Sequence, residues 1–224
     1  PVAPSAHDAS GASTARQVVD ISSFTNLDPS GACWGEYFVL GNVYETLTRY
    51  NPPGVEPFVA PNLATDWTVT DDGHTWTFHL QEGVKFHDGS DLDAAAVKFS
   101  LERHKEMGCS SYLYAPIETI ETPDAHTVVI HLTDPVPMDL ILASGYSAWI
   151  MSPTSAVSKG PDWFAEGNDA GSGPYKMESY APGERLIVTR FDDYWRGWSP
   201  DQIETVVFEQ VEDPMAVEQM LRAG

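Results

Sequence analysis

Apolar and polar positions alternate along this chain with two distinct periods. Between Thr75 and Leu80, the residues Trp76, Phe78 and Leu80 alternate with polar ones, the two-residue period of a strand with one buried face. Trp67 to Thr70 precedes it across Asp71-Asp72-Gly73, a turn in which glycine takes positive φ at no steric cost, so a hairpin is predicted. A second hairpin is predicted from Ile117–Thr122 and Thr127–Leu132, with Val128, Ile130 and Leu132 on one side. Val18 to Ile21, Leu186 to Phe191 and Ile203 to Val211 read as further strands. The period becomes helical after Asp93, whose carboxylate can accept the unpaired amides of a first turn; Val97, Leu101 and His104 or Lys105 then share a face, and Gly108 ends the helix. Leu40, Val43, Tyr44 and Leu47 fall at i, i+3, i+4 and i+7 and predict a helix over Glu36–Tyr50, broken by Pro52-Pro53-Gly54. A short helix follows Pro135, and Asp213-Pro214 reads as cap and first residue of a last one. This mixture gives a mixed α/β fold.

Composition narrows the function. The 224 residues carry 42% hydrophobic side chains, enough for a substantial core. The net charge of −21, with only 12 Lys and Arg, argues against nucleic acid and against docking on anionic lipid, both of which need a basic surface. No run of about twenty apolar residues is present to span a bilayer. Residues 1–16, rich in Ala, Ser and Pro, read as a flexible linker.

Catalytic and metal signatures are weak. Gly145-Tyr146-Ser147-Ala148-Trp149 approaches G-x-S-x-G, but Trp149 stands where the turn needs a second glycine. His74, His79 and His87 fall on a turn, a strand and a loop without metal-ligand spacing, and are read as solvated. No catalytic residue, metal site or cofactor is expected, and no phosphate-binding loop of an ATPase occurs.

The wording of residues 63–107, LATDWTVTDDGHTWTFHLQEGVKFHDGSDLDAAAVKFSLERHKEM, resembles the signature region of the extracytoplasmic solute-binding proteins of ABC importers, in the peptide, dipeptide and nickel class. Leu27-Asp28-Pro29, Val43–Leu47, Gly171–Lys176 (with Ser172 for the usual Thr) and Asp193-Tyr194-Trp195 are similar to further family motifs, all from its N-terminal half. The resemblance implies the first lobe of a type II periplasmic-binding-protein-like fold, with the second lobe missing from this chain. In that division residues 17–49 and 169–224 form the lobe and residues 50–168 an inserted α+β subdomain. It implies capture of oligopeptides or dipeptides outside the cytoplasmic membrane and delivery to permease subunits, in a protein often held by a lipid anchor. An oligosaccharide, nickel or another small solute on the same scaffold is the alternative; an extracytoplasmic hydrolase or a sensor reusing the fold is the alternative of another class. First-lobe solute contacts are expected from Thr25, Asn26, Leu27, Tyr112, Tyr114, Tyr146, Ser147 and Trp149, with core packing as the competing fate of each aromatic. In an exported protein the two cysteines, Cys33 and Cys109, permit one disulfide, or remain two buried thiols.

Overall fold

A computed structural model describes residues 13–223 apart from 23, 25, 26, 33, 34, 146, 147, 160, 161 and 212. Strands β4 (Ala64–Val69), β5 (Thr75–Leu80), β6 (Ile117–Asp124) and β7 (Thr127–Leu132) form an antiparallel sheet in the order β4-β5-β7-β6. Gly73 makes the first turn at φ 75°. Trp76, Phe78, Leu80, Val128, Ile130 and Leu132 all point inward, as their alternation predicts. Helix α2 (Ala94–Met107) covers that face with Ala94, Val97 and Leu101. Asp93 caps it, its Oδ1 accepting from the Ala96 N–H at 2.8 Å, and Lys98 and Lys105 reach over to the Ile120 and Ile117 carbonyls of β6.

The second sheet runs β1-β10-β9-β8, from β1 (Thr14–Val18), β8 (Tyr175–Ala181), β9 (Arg185–Arg190) and β10 (Thr205–Glu209). β1 and β10 are parallel, with Thr14 opposite Thr205; the other pairs are antiparallel. Leu186, Val188 and Phe208 of this sheet meet Val39, Leu40 and Val43 of helix α1 (Tyr37–Val43) in a separate core. A two-stranded ribbon, β2 (Thr48–Tyr50) with β3 (Val59–Pro61), short helices α3 (Met138–Ile141) and α4 (Pro153–Ser158), and the terminal α5 (Pro214–Ala223) complete the chain.

Three expectations change. The first strand lies at Thr14–Val18 rather than Val18 to Ile21, so the end of the expected linker joins the sheet, while Ile21 drops into the core. The helix expected over Glu36–Tyr50 stops at Val43. Tyr44 is extended because the Val43 carbonyl accepts the Gly173 N–H and Glu45 bridges Ile150, both far along the chain. His87, expected in solvent, is buried with its side chain 4% exposed.

His87 sits where the two sheets join. Its Nδ1 bonds Asp169 Oδ1 and its Nε2 lies 2.9 Å from the Gly173 carbonyl, so both ring nitrogens face acceptors. Asp169 also accepts the Gly171 and Met177 amides. A Cβ on Gly171 would run into the Val43 carbonyl, so only glycine allows this close crossing of backbones. Beside it, buried Glu45 accepts from Trp195 Nε1 (2.9 Å), the Tyr194 hydroxyl (3.1 Å) and the Ser172 hydroxyl (3.3 Å). Burial pushes the Glu45 carboxyl up, against these donors.

Candidate functional site

Helix α2 is too long to be spent on one sheet. One face packs on β6 and β7, and Ser100, Arg103 and His104 turn toward the other core. Arg103 holds both oxygens of Asp28 with a two-pronged contact, Nη1 to Oδ1 and Nη2 to Oδ2 at 2.5 Å each. Its guanidinium also lies 5.7 Å over the Phe164 ring. The pair is largely shielded, with side-chain exposures of 15% and 9%. Asp28 Oδ1 accepts the Ser30 amide as well, and the Asp28 carbonyl accepts from Gly31 and Ala32, so one residue shapes the turn after Leu27.

One residue on, His104 is fully buried. Its Nε2 donates to the Trp149 carbonyl at 2.7 Å, while Nδ1 has no hydrogen-bond partner among the described residues. Burial pushes this imidazole down to about 4, so it is neutral, with the proton on Nε2. Ser100 Oγ accepts the Met151 amide at 3.0 Å and donates to Ala96, fixing the same segment.

The segments so held meet each other. The Tyr37 ring lies 5.2 Å from that of Trp149, and its hydroxyl donates to the Ala32 carbonyl. Cys109 Sγ lies 3.3 Å from the same carbonyl and belongs to a disulfide. Tyr114, in a short 3-10 helix (Ser111–Tyr114), packs beside His104 with ring centroids 5.9 Å apart, and burial raises its hydroxyl far above the usual phenol range. Three stretches singled out in the sequence therefore converge: the loop after Ile21, the aromatic stretch after Cys109, and the segment ending at Trp149.

The expected site residues divide. Leu27, Tyr114 and Trp149 place their side chains in the interior, all 2% exposed or less, and spend them on packing. Tyr112 stands 71% exposed on the outer side of the same turn. Thr25, Asn26, Tyr146, Ser147 and Cys33 lie outside the described residues. Sequence reasoning missed Phe38, 65% exposed at the start of α1 beside this cluster, and the buried Asp28–Arg103 and His104–Trp149 contacts. Asp28 lay within a quoted motif, but its partner is 75 residues away and nothing local announces it. Among the described residues no three His, Cys, Asp or Glu side chains are grouped to hold a metal ion. No helix there is long and apolar enough to cross a membrane.

Comparison with known proteins agrees with this architecture. A family model, bacterial extracellular solute-binding proteins, family 5 Middle, matches residues 59–224. The glutathione-binding protein GsiB of Salmonella paratyphi A is 33% identical over 207 residues, 91% of this chain and 39% of that protein. The probable D,D-dipeptide-binding periplasmic protein DdpA of Escherichia coli is 33% identical over 151 residues, 65% of this chain and 29% of its own length. Among solved structures, the solute-binding protein MoaA of A. tumefaciens R10 in complex with mannopinic acid superposes with a TM-score of 0.86 at 28% identity, covering 95% of this chain and 44% of that one. The chain thus spans about two fifths of the length of GsiB and of MoaA, in keeping with one lobe of a type II periplasmic binding protein. With the family match covering most of its length, this chain belongs to the bacterial extracellular solute-binding proteins, family 5.

Proposed function

We propose that this chain is the first lobe of the solute-capturing component of an ABC importer for short peptides, working outside the cytoplasmic membrane and passing its solute to permease subunits. Residues 17–49 and 169–224 make the lobe proper in this reading, and residues 50–168 the inserted subdomain. The separate cores under the two sheets support that division, although Trp149, Met151 and Phe164 of the subdomain range join the core of the lobe. In this reading Thr25, Asn26, Tyr112, Tyr146 and Ser147 contact the solute, with the exposed Phe38 as a further candidate. The observation that carries this reading is the convergence of the loop after Ile21, the aromatic stretch after Cys109 and the segment ending at Trp149 around Ala32, Tyr37, Cys109 and Trp149. A bridge between Cys33 and Cys109 would tie the first two stretches covalently. The chain binds rather than transforms its solute. Relatives named for glutathione, a tripeptide, and for D,D-dipeptides favour peptides.

A second reading, a small non-peptide solute, is favoured by the likeness to the mannopinic-acid complex. A thermal-shift screen separates the two, because a solute at about a hundredfold its Kd raises stability by about 2.7 kcal/mol. Glutathione or L-Ala-L-Ala is expected to raise Tm, with mannopinic acid and nickel inert. No shift with any peptide, beside a clear one with mannopinic acid, would overturn the peptide reading.

A further inference from the structure

We infer that Arg103 is a positioning residue for the solute site, holding the loop after Leu27 in its binding shape through the two oxygens of Asp28. The inference rests on the function proposed above, since that loop is a solute wall only in that reading.

Three observations carry it. First, the contact is bidentate: two guanidinium nitrogens meet two carboxylate oxygens, a geometry that fixes orientation as well as distance and that a lysine ammonium cannot reproduce. Second, Asp28 is the residue on which the turn is built, because its side chain and its carbonyl together accept the amides of Ser30, Gly31 and Ala32. Turning the carboxylate therefore moves the Ala32 carbonyl, on which Tyr37 and Cys109 converge. Third, Arg103 is itself held on an α2 whose neighbouring His104 and Ser100 grip the Trp149–Met151 segment. One helical turn thereby sets the spacing between the two stretches that would face a solute from either side. The helix belongs by its packing to the β4–β7 sheet, so the subdomain acts as the template against which the solute loops are shaped.

The test uses Arg103→Lys, which keeps the charge and loses the fork, together with Asp28→Asn and the double variant. Arg222→Gln, which removes an exposed pair with Glu218 on α5, serves as control. Glutathione affinity is measured by titration calorimetry well below Tm, where circular dichroism shows every protein fully folded. Each single variant is expected to bind about tenfold more weakly, the loss of one charged hydrogen bond, and the double variant no more weakly than either. Amide exchange supplies a readout independent of any ligand: Gly31 and Ala32 should exchange at least about tenfold faster in Arg103→Lys, with the β5 and β7 amides unchanged. The control should match the wild type in both measurements. Unchanged exchange at Gly31 and Ala32 would overturn the inference. So would faster exchange with unaltered affinity, or losses in Tm alone. If the wild type binds neither glutathione nor L-Ala-L-Ala while the exchange responds as expected, the positioning of the loop stands and the peptide reading is what fails.

Discussion

The two four-stranded sheets reach the same size by opposite routes. The β4–β7 sheet closes within residues 64–132, from two hairpins and a helix that follows one of them. The other takes its first strand from Thr14–Val18 and pairs it with Thr205–Glu209, so its closure waits on nearly the whole chain. Loop closure costs more conformational entropy as the loop lengthens, and contacts distant in sequence offset that cost only once both ends are in place. The first sheet can thus organise around its own turns, whereas the second depends on the crossing where Val43, Glu45, His87 and Gly171 are locked together. Ion pairs, glycines and histidines should carry different weight in the two regions.

The largest difference is expected from two pairs of the same chemistry. His87–Asp169 lies in the crossing, with side chains 4% and 6% exposed; His79–Asp66 lies on the local sheet, with side chains 48% and 62% exposed. Asp169→Ala removes the buried partner of His87 Nδ1 and leaves the Gly171 and Met177 amides unpaired, and should cost about 4 kcal/mol. Asp66→Ala removes a solvated pair and should cost at most about 0.5 kcal/mol. Urea denaturation of the two variants measures both. Equal losses would mean that the crossing is no more dependent on its ion pair than the open sheet.

Glycines give the next contrast. Gly171→Ala places a Cβ against the backbone carbonyl of Val43, and neither backbone can move without releasing the Gly173–Val43 hydrogen bond, so a loss of about 3 kcal/mol is expected. Gly183→Ala, in the β8–β9 turn at φ 72°, meets nothing within 4 Å and costs only the left-handed backbone, about 1 kcal/mol. Denaturation midpoints of the two variants should fall in that order, and reversal would show that the crossing yields more easily than its packing implies.

The same division governs what could be read from the sequence. Every element of the local sheet was legible, because its signals are adjacent in the chain: alternation in Trp76, Phe78 and Leu80, turn chemistry at Gly73, the cap at Asp93. In the other sheet β1 was misplaced, since Val18 to Ile21 is the more apolar run while the strand is chosen by its partner β10. Helix α1 was overextended because Tyr44 and Leu47 do face the interior, as a helix would have them, yet arrive there on extended chain. The candidate site was legible as a set of stretches but not as a set of surfaces. Tyr112 and Tyr114 look alike in sequence, and one faces solvent while the other fills the core, a choice made by α2 packing from above. Solvated histidines and buried ones likewise differ only in partners that lie tens of residues away, as for His87 with Asp169 and His104 with Trp149.

His104 allows that joint between the regions to be probed without disturbing either sheet. Its folded value of about 4 lies below the usual histidine value of 6.5, because burial disfavours the charged ring and the nearby Arg103 adds to the effect, while the bond to the Trp149 carbonyl opposes it. Between those values the unfolded chain binds a proton that the folded chain refuses, so stability is fully present above about 6.5 and is lost as pH falls toward 4. From about pH 7 to about pH 5 this one group should remove about 2 kcal/mol. Asp88 does not contribute there. Its partial burial, which alone would raise it, is outweighed by hydrogen bonds from Ser152, Ser155 and Ser90 that hold it at about 2, so its stabilisation is lost only as pH falls from about 4 to about 2. Urea denaturation across that range should show the loss in the wild type, and His104→Gln, which keeps a donor for Trp149 without a titrating ring, should flatten it. If the pH dependence survives His104→Gln unchanged, the ring is not the titrating group that couples α2 to the Trp149 segment, and the tie between the two regions would rest on Arg103 with Asp28 and on Ser100 with Met151.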